Sequence, residues 1–91
     1  MANRVALIGF VVEQSDAAEP LNTLLHQYKD YIVGRMGIPY RERGIHLISI
    51  VIDAPADMIS ALTGKAGMIP GITAKALYSK LPEVTNASPD Q

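Results

Sequence analysis

From Arg4 to Val12 nearly every residue is apolar, valine is frequent and no proline intervenes. That is the pattern of a strand buried on both faces. A polar turn follows, Glu13-Gln14-Ser15-Asp16. Its Ser15 or Asp16 is expected to cap a helix, with Asp16 and Glu19 near the helix N-terminus and Pro20 in the first turn. Leu21, Leu24, Leu25, Tyr28 and Ile32 recur at helical spacing as one apolar stripe, and Asn22, His26 and Lys29 fall on the other side. Helical character is expected to fade over Tyr31-Ile32-Val33, because Gly34 and Gly37 interrupt the pattern, and Ile38-Pro39-Tyr40 predicts a second, partly irregular strand.

Arg41-Glu42-Arg43-Gly44 has turn composition, and Ile45 to Ile52 carries the strongest strand pattern in the chain. Two strands joined by so tight a loop are expected to pair antiparallel. Asp53-Ala54-Pro55 reads as a helix start, Met58, Ile59, Leu62 and Ala66 form the stripe of that helix, and Gly67 ends it. Pro70-Gly71 marks a turn before a last strand, Ile72 to Tyr78. Residues 81–91, with Pro82 and Pro89 among small polar residues, read as a flexible tail, which leaves residues 1–80 as the domain. The sequon Asn86-Ala87-Ser88 lies in that tail and reads as a chance match.

The order strand, helix, strand, strand, helix, strand is the split pair of βαβ units of a ferredoxin-like α+β sandwich, a four-stranded antiparallel sheet with both helices on one face. The other face then needs an explanation. In the first strand Val5, Leu7 and Val11 oppose Ala6, Ile8, Phe10 and Val12, and in the third Leu47 and Val51 oppose Ile48, Ile50 and Ile52. Both faces are apolar, two helices cover one, and the tail is too polar to cover the other, so a homo-oligomer, dimer or tetramer, is expected.

Composition narrows the function classes. An apolar share of 48% with only 5% aromatic residues implies an aliphatic core. A formal net charge of -1 gives no general attraction to phosphate backbones, so nucleic-acid binding by this chain alone is not expected. The absence of cysteine excludes disulfides, thiolate-held iron-sulfur clusters, cysteine zinc sites and thiol catalysis, and no cofactor is expected. No apolar run approaches the ~20 residues that span a bilayer, and Met1 to Arg4 lead straight into a strand pattern without the succession of a secretory signal. A cytoplasmic protein with no membrane partner is the expectation.

No catalytic constellation emerges. His26 and His46, the two imidazoles, have no partner at metal-binding spacing and are weaker candidates for ligation or base catalysis. Ser15, Ser49, Ser60, Ser79 and Ser88 are scattered, with no nucleophile elbow around any of them. Asp53 and Asp57 read as capping carboxylates. Gly64-Lys65 echoes the end of a phosphate-binding loop, but Ile59 stands where that loop needs a glycine and Ala66 where it needs Ser or Thr. The most informative segment is Gly34 to Gly44, which gathers Arg35, Arg41, Arg43 and Tyr40 with three glycines. Arginine forks recognise carboxylate or phosphate, and glycines admit close backbone approach. A solvated hairpin whose arginines keep an oligomer soluble is the competing reading. Gly34-x-x-Gly37 also matches an RNA-clamping loop in spacing, but it is not set between two helices.

Leu21-Asn22-x-x-Leu25-His26-x-Tyr28, Gly34-Arg35-Met36-Gly37-Ile38-Pro39-Tyr40-Arg41 and Ala61-Leu62-Thr63-Gly64-Lys65-x-Gly67 together resemble the family of iron-only hydrogenase system regulators, over about Asn3 to Lys80. The resemblance implies an ACT-like domain, similar also to the ligand-binding domain of nickel-responsive regulators, which assemble through their sheets and respond to small molecules or metal. This chain lacks the cysteine and the His-x-His strand of the nickel regulators. It also shows no separate DNA-binding segment, so a transcriptional role would need a partner protein. The expectation is a non-enzymatic oligomeric regulatory or small-ligand-sensing module. Its candidate ligand or partner site is Arg35, Gly37, Tyr40, Arg41, Gly64 and Lys65, for a small-molecule effector or a protein. The alternatives are a small enzyme with a histidine base between sheet and helices, and a metal sensor using histidines of different subunits.

Overall fold

The computed structural model describes residues 2–80. Strand β1 (Asn3–Val12) leads into helix α1 (Ala18–Gln27), strands β2 (Ile32–Tyr40) and β3 (Ile45–Pro55), helix α2 (Ala56–Gly67) and strand β4 (Ile72–Tyr78). Single turns of 3-10 helix sit at Ser15–Ala17, Lys29–Tyr31 and Arg41–Arg43. The strands form one antiparallel sheet in the order β2-β3-β1-β4. This is the ferredoxin-like arrangement, and the two segments apolar on both faces occupy its centre. The expected tail at 81–91 and its sequon lie outside the described residues.

The register fixes which side of each strand faces the helices. Ala6, Ile8, Phe10 and Val12 of β1 are buried with Ile48, Ile50, Ile52 and Ala54 of β3, beneath Leu21, Leu25 and Tyr28 of the first helical segment and Ile59, Leu62 and Ala66 of α2. Every buried residue in this layer is apolar. At about 25 cal/mol per Å² of apolar area, this aliphatic layer is the main source of fold stability.

Four local expectations are corrected. Neither Ser15 nor Asp16 caps a helix with its side chain, because the 3-10 turn satisfies the entering amides with backbone: Ala17 N–H donates to the Gln14 carbonyl at 3.0 Å, and Ala18 N–H to Ser15. Ile32 belongs to β2 and not to the helical stripe. The chain tightens at Tyr28, whose N–H donates to the Leu25 carbonyl at 3.0 Å, and the β-branched pair Ile32-Val33 then favours extended backbone. Strand β2 is therefore longer than Ile38–Tyr40, and Pro39 is tolerated because β2 is an edge strand. Asp53 caps nothing. Strand β1 begins at Asn3 and so offers β3 partners as far as Pro55, with Asp53 opposite Val5, and α2 starts at Ala56 without a side-chain cap from Asp57 or any other residue.

Two glycines turn where φ is positive. Gly44 (φ 67) closes the β2–β3 connection, its N–H donating to the Arg41 carbonyl at 3.0 Å. Gly71 (φ 88) opens β4, and its carbonyl accepts the Glu13 N–H at 2.7 Å, which ties the β1–α1 connection to the start of the last strand. A Cβ on Gly71 would lie 2.9 Å from Gln14 Cβ and Cγ. Gly71→Ala is therefore expected to cost about 1–2 kcal/mol from backbone conformation alone, lowering the thermal midpoint by several degrees. Gly64, at an exposed α2 position with open space around it, behaves oppositely. Gly64→Ala is expected to raise the midpoint through a gain of about 0.5–1 kcal/mol. Circular dichroism melts of the pair check both signs.

Candidate functional site

Strand β2 contains one irregularity that decides where its side chains go. Ile32 pairs with Ile52 and Gly34 with Val51, so Val33 is an extra residue, a β-bulge. In a regular strand positions three apart face opposite ways. Here the bulge sets Ile32, opposite Ile52, and Arg35, opposite Ile50, on the same side, facing the helices. Arg35 accordingly reaches α1, where one Nη donates to Oδ1 of Asn22. Asn22, His26, Lys29 and Arg35 line an open cavity of about 240 Å³ floored by Leu25 and Ile32.

The other candidate residues do not join it. Gly37 lies on the helix side of β2 but against His46, whose Nε2 would sit 3.4 Å from a Cβ added there. Arg41 and the half-buried His46 line a separate cavity of about 360 Å³ with Gln14 and Ser15, at the β1–α1 connection. Tyr40, opposite Ile45, is exposed on the far face of the sheet. Lys65 points to Tyr28, donating from Nζ to the phenolic oxygen at 3.3 Å with the ring centroid 5.8 Å away, and Gly64 beside it is exposed. The predicted set thus divides among four places. Gly34-x-x-Gly37 falls within β2, a strand and not a loop between helices.

The sheet face away from the helices is apolar over most of its area. Leu7 is 44% exposed, Ile38 51% and Leu77 69%, and Val5, Met36, Tyr40 and Leu47 join them. Gly9 lies near the middle of β1, where a missing side chain leaves a shallow dent of about 200 Å³ walled by Val11, Met36, Ile38, Leu47 and Ser49. Among the described residues charge on this face is confined to Asp53, near the end of β3, and Lys75, on the edge strand β4 opposite Gly9.

Comparison with known proteins places this geometry. Residues 4–76 match the model of the TM1266-like family, described as "Iron-only hydrogenase system regulator, putative". The chain belongs to this family. It superimposes on the structure of the uncharacterized protein TM1266 from Thermotoga maritima with a TM-score of 0.82 and 34% identity, covering 86% of this chain and 99% of that one. It is also similar to the ACT domain from the GTP pyrophosphokinase of Chlorobium tepidum, with a TM-score of 0.69, 18% identity, and coverage of 82% of this chain and 99% of that one. The second likeness is one of fold. A search of curated proteins finds no match. Among the described residues no helix is long and apolar enough to cross a membrane.

Two contacts join the three segments on which the sequence resemblance rested. Asn22 to Arg35 and Tyr28 to Lys65 each join residues from different motif segments, tying α1 to β2 and to α2. Asn22, Lys29 and Tyr28 are not singled out as site residues by sequence reasoning. For Asn22 and His26 the available signal was their i, i+4 spacing on a polar helix face. The two kinds of residue should differ in stability. Arg35 and Arg41 are exposed, so the double change Arg35→Gln, Arg41→Gln is expected to move the thermal midpoint by less than about 4 °C. Tyr28 is 8% exposed and packed in the core, and Tyr28→Ala is expected to cost about 3 kcal/mol or more in urea denaturation.

Proposed function

We propose that this chain is a non-enzymatic, cytoplasmic regulatory module of an iron-only hydrogenase system that assembles with copies of itself through the outer sheet face and senses a small ligand. The observation that carries the proposal is the apolar outer face of the four-stranded sheet. With strands about 4.8 Å apart and about 3.3 Å per residue, four strands of up to 11 residues offer roughly 600 Å² per copy, or about 1,200 Å² for a pair. That reaches the lower bound of about 1,200 Å² for standard stable interfaces. The apolar middle and charged margin also follow the anatomy of such interfaces.

The competing readings fit the geometry less well. A histidine-base enzyme needs an imidazole between sheet and helices, but that layer is filled by apolar side chains, with His26 exposed on α1 and His46 half-buried at the start of β3. A metal sensor built from histidines of different subunits needs them at the shared surface. Assembly through the outer face leaves His26 on the helix layer, and His46, opposite Pro39 and beside Gly37, on the helix side of the sheet.

The register assigns the two sides of β3 and makes the proposal testable. Ile50 is 1% exposed beneath the helices, and Val51, paired with Leu7 and Gly34, faces outward. Ile50→Lys is expected to abolish the cooperative unfolding transition in circular dichroism, since an unpaired buried ammonium costs several kcal/mol. Val51→Lys is expected to lower the mass measured by light scattering while the folded spectrum is retained. A monodisperse monomer for the unmodified protein at micromolar concentration would overturn the proposal. The double variant His26→Ala, His46→Ala is expected to keep the parent's mass and spectrum.

A further inference from the structure

We infer that the cavity between α1 and β2 is a binding site for a compact oxyanion, the phosphate or carboxylate group of a small molecule. This deepens the ligand-sensing reading above by giving that ligand a place and a charge. Three observations carry it. The bulge at Val33 turns Arg35 to the helix side, where a regular continuation from Ile32 would have aimed it at the opposite face. The donors then converge: Asn22 and His26 stand one turn apart on α1, Lys29 follows in the 3-10 turn, and Arg35 closes the cavity from the strand. Among the described residues no carboxylate lines the cavity, and neither Arg35 nor Lys29 forms an ion pair. In a chain of formal net charge -1 this is local positive charge and not general basicity.

The chemistry of the lining selects the ligand. Asn22 Oδ1 accepts from one Nη of Arg35 and so orients the guanidinium, whose remaining N–H groups are free to form the paired bonds that suit a carboxylate or phosphate. Lys29 adds a mobile ammonium and His26 a ring N–H. Leu25 and Ile32 supply an apolar floor. At about 240 Å³ the cavity falls below the ~300 Å³ at which pockets for drug-sized ligands begin. It therefore suits an anion of few atoms, with room for a short carbon skeleton on the floor. The site lies on the helix side of the edge strand β2, so assembly through the outer face leaves it open.

The test is a titration of the ¹⁵N-labelled full chain at low ionic strength with inorganic phosphate and, separately, with succinate. One of the two is expected to give saturable shifts at Asn22, His26, Lys29 and Arg35, and which one does so separates a phosphate-bearing from a carboxylate-bearing ligand. Arg35→Gln is expected to weaken that binding by about tenfold or more, consistent with the loss of a charge-assisted pair. Asn22→Asp keeps an acceptor for Arg35 and so keeps the fork in place, but sets a negative charge against Arg35 and Lys29, and is expected to weaken binding by about tenfold or more with the melt unchanged. Absence of saturable shifts with both anions in the parent, or equal affinity in the parent and both variants, overturns the inference. Light scattering on the same samples reports assembly separately, so failure of the anion site is distinguishable from failure of the oligomeric module.

Discussion

A four-stranded sheet whose central strands are apolar on both faces has two surfaces that favour burial, and the described residues carry helices enough for one. Most of the molecule's organisation follows from that imbalance. The inner face is resolved within the protomer, where isoleucines of β1 and β3 meet the leucines of α1 and the Ile59, Leu62 and Ala66 stripe of α2 in a layer without a buried polar group. The outer face presents Val5, Leu7, Met36, Ile38, Leu47 and Leu77 to solvent, with Asp53 and Lys75 at its margin. Hydrophobic area of this kind is non-directional in its demand but specific in shape. The dent over Gly9 gives it a relief that a second surface would have to match.

The polar features lie away from the apolar outer face. Arg35, His26, Lys29 and Asn22 lie on the helix side of the β2 edge, and Arg41 and His46 gather at the β1–α1 connection. Lys65 is held on Tyr28 at the junction of the two helices. The proposed assembly surface and the proposed anion site thus lie on different faces of one small sheet. Because α1 contributes both to the core through Leu21 and Leu25 and to the cavity through Asn22 and His26, a ligand bound there touches the same element that covers the sheet.

Sequence patterning made the fold legible because its signals were redundant. The apolar runs of β1 and β3, the stripes of the two helices and the Pro70-Gly71 turn all pointed to one topology, and the family resemblance agreed with the match over residues 4–76. It did not reveal the candidate site, for a physical reason. A single inserted residue, Val33, reverses the facing of everything after it in β2, and the one local hint of it, Gly34 inside the strand, does not say which residue is the extra one. The arginine segment read as one cluster, although Arg35 and Tyr40, five positions apart after the bulge, face opposite ways by alternation, and the bulge decides that Arg35 is the one on the helix side. The helix start was misread at Asp53 because β1 extends the pairing of β3 to Pro55, and at Ser15 because backbone bonds of a 3-10 turn satisfy the entering amides.

The account stands on the outer face being buried against a second copy, and that coupling has a direct thermodynamic signature. If assembly contributes to stability, the thermal midpoint depends on protein concentration by mass action. Melts recorded from roughly 1 to 100 μM are expected to show a midpoint that rises steadily with concentration. A midpoint independent of concentration across that range, with the mass of a single chain throughout, would contradict it.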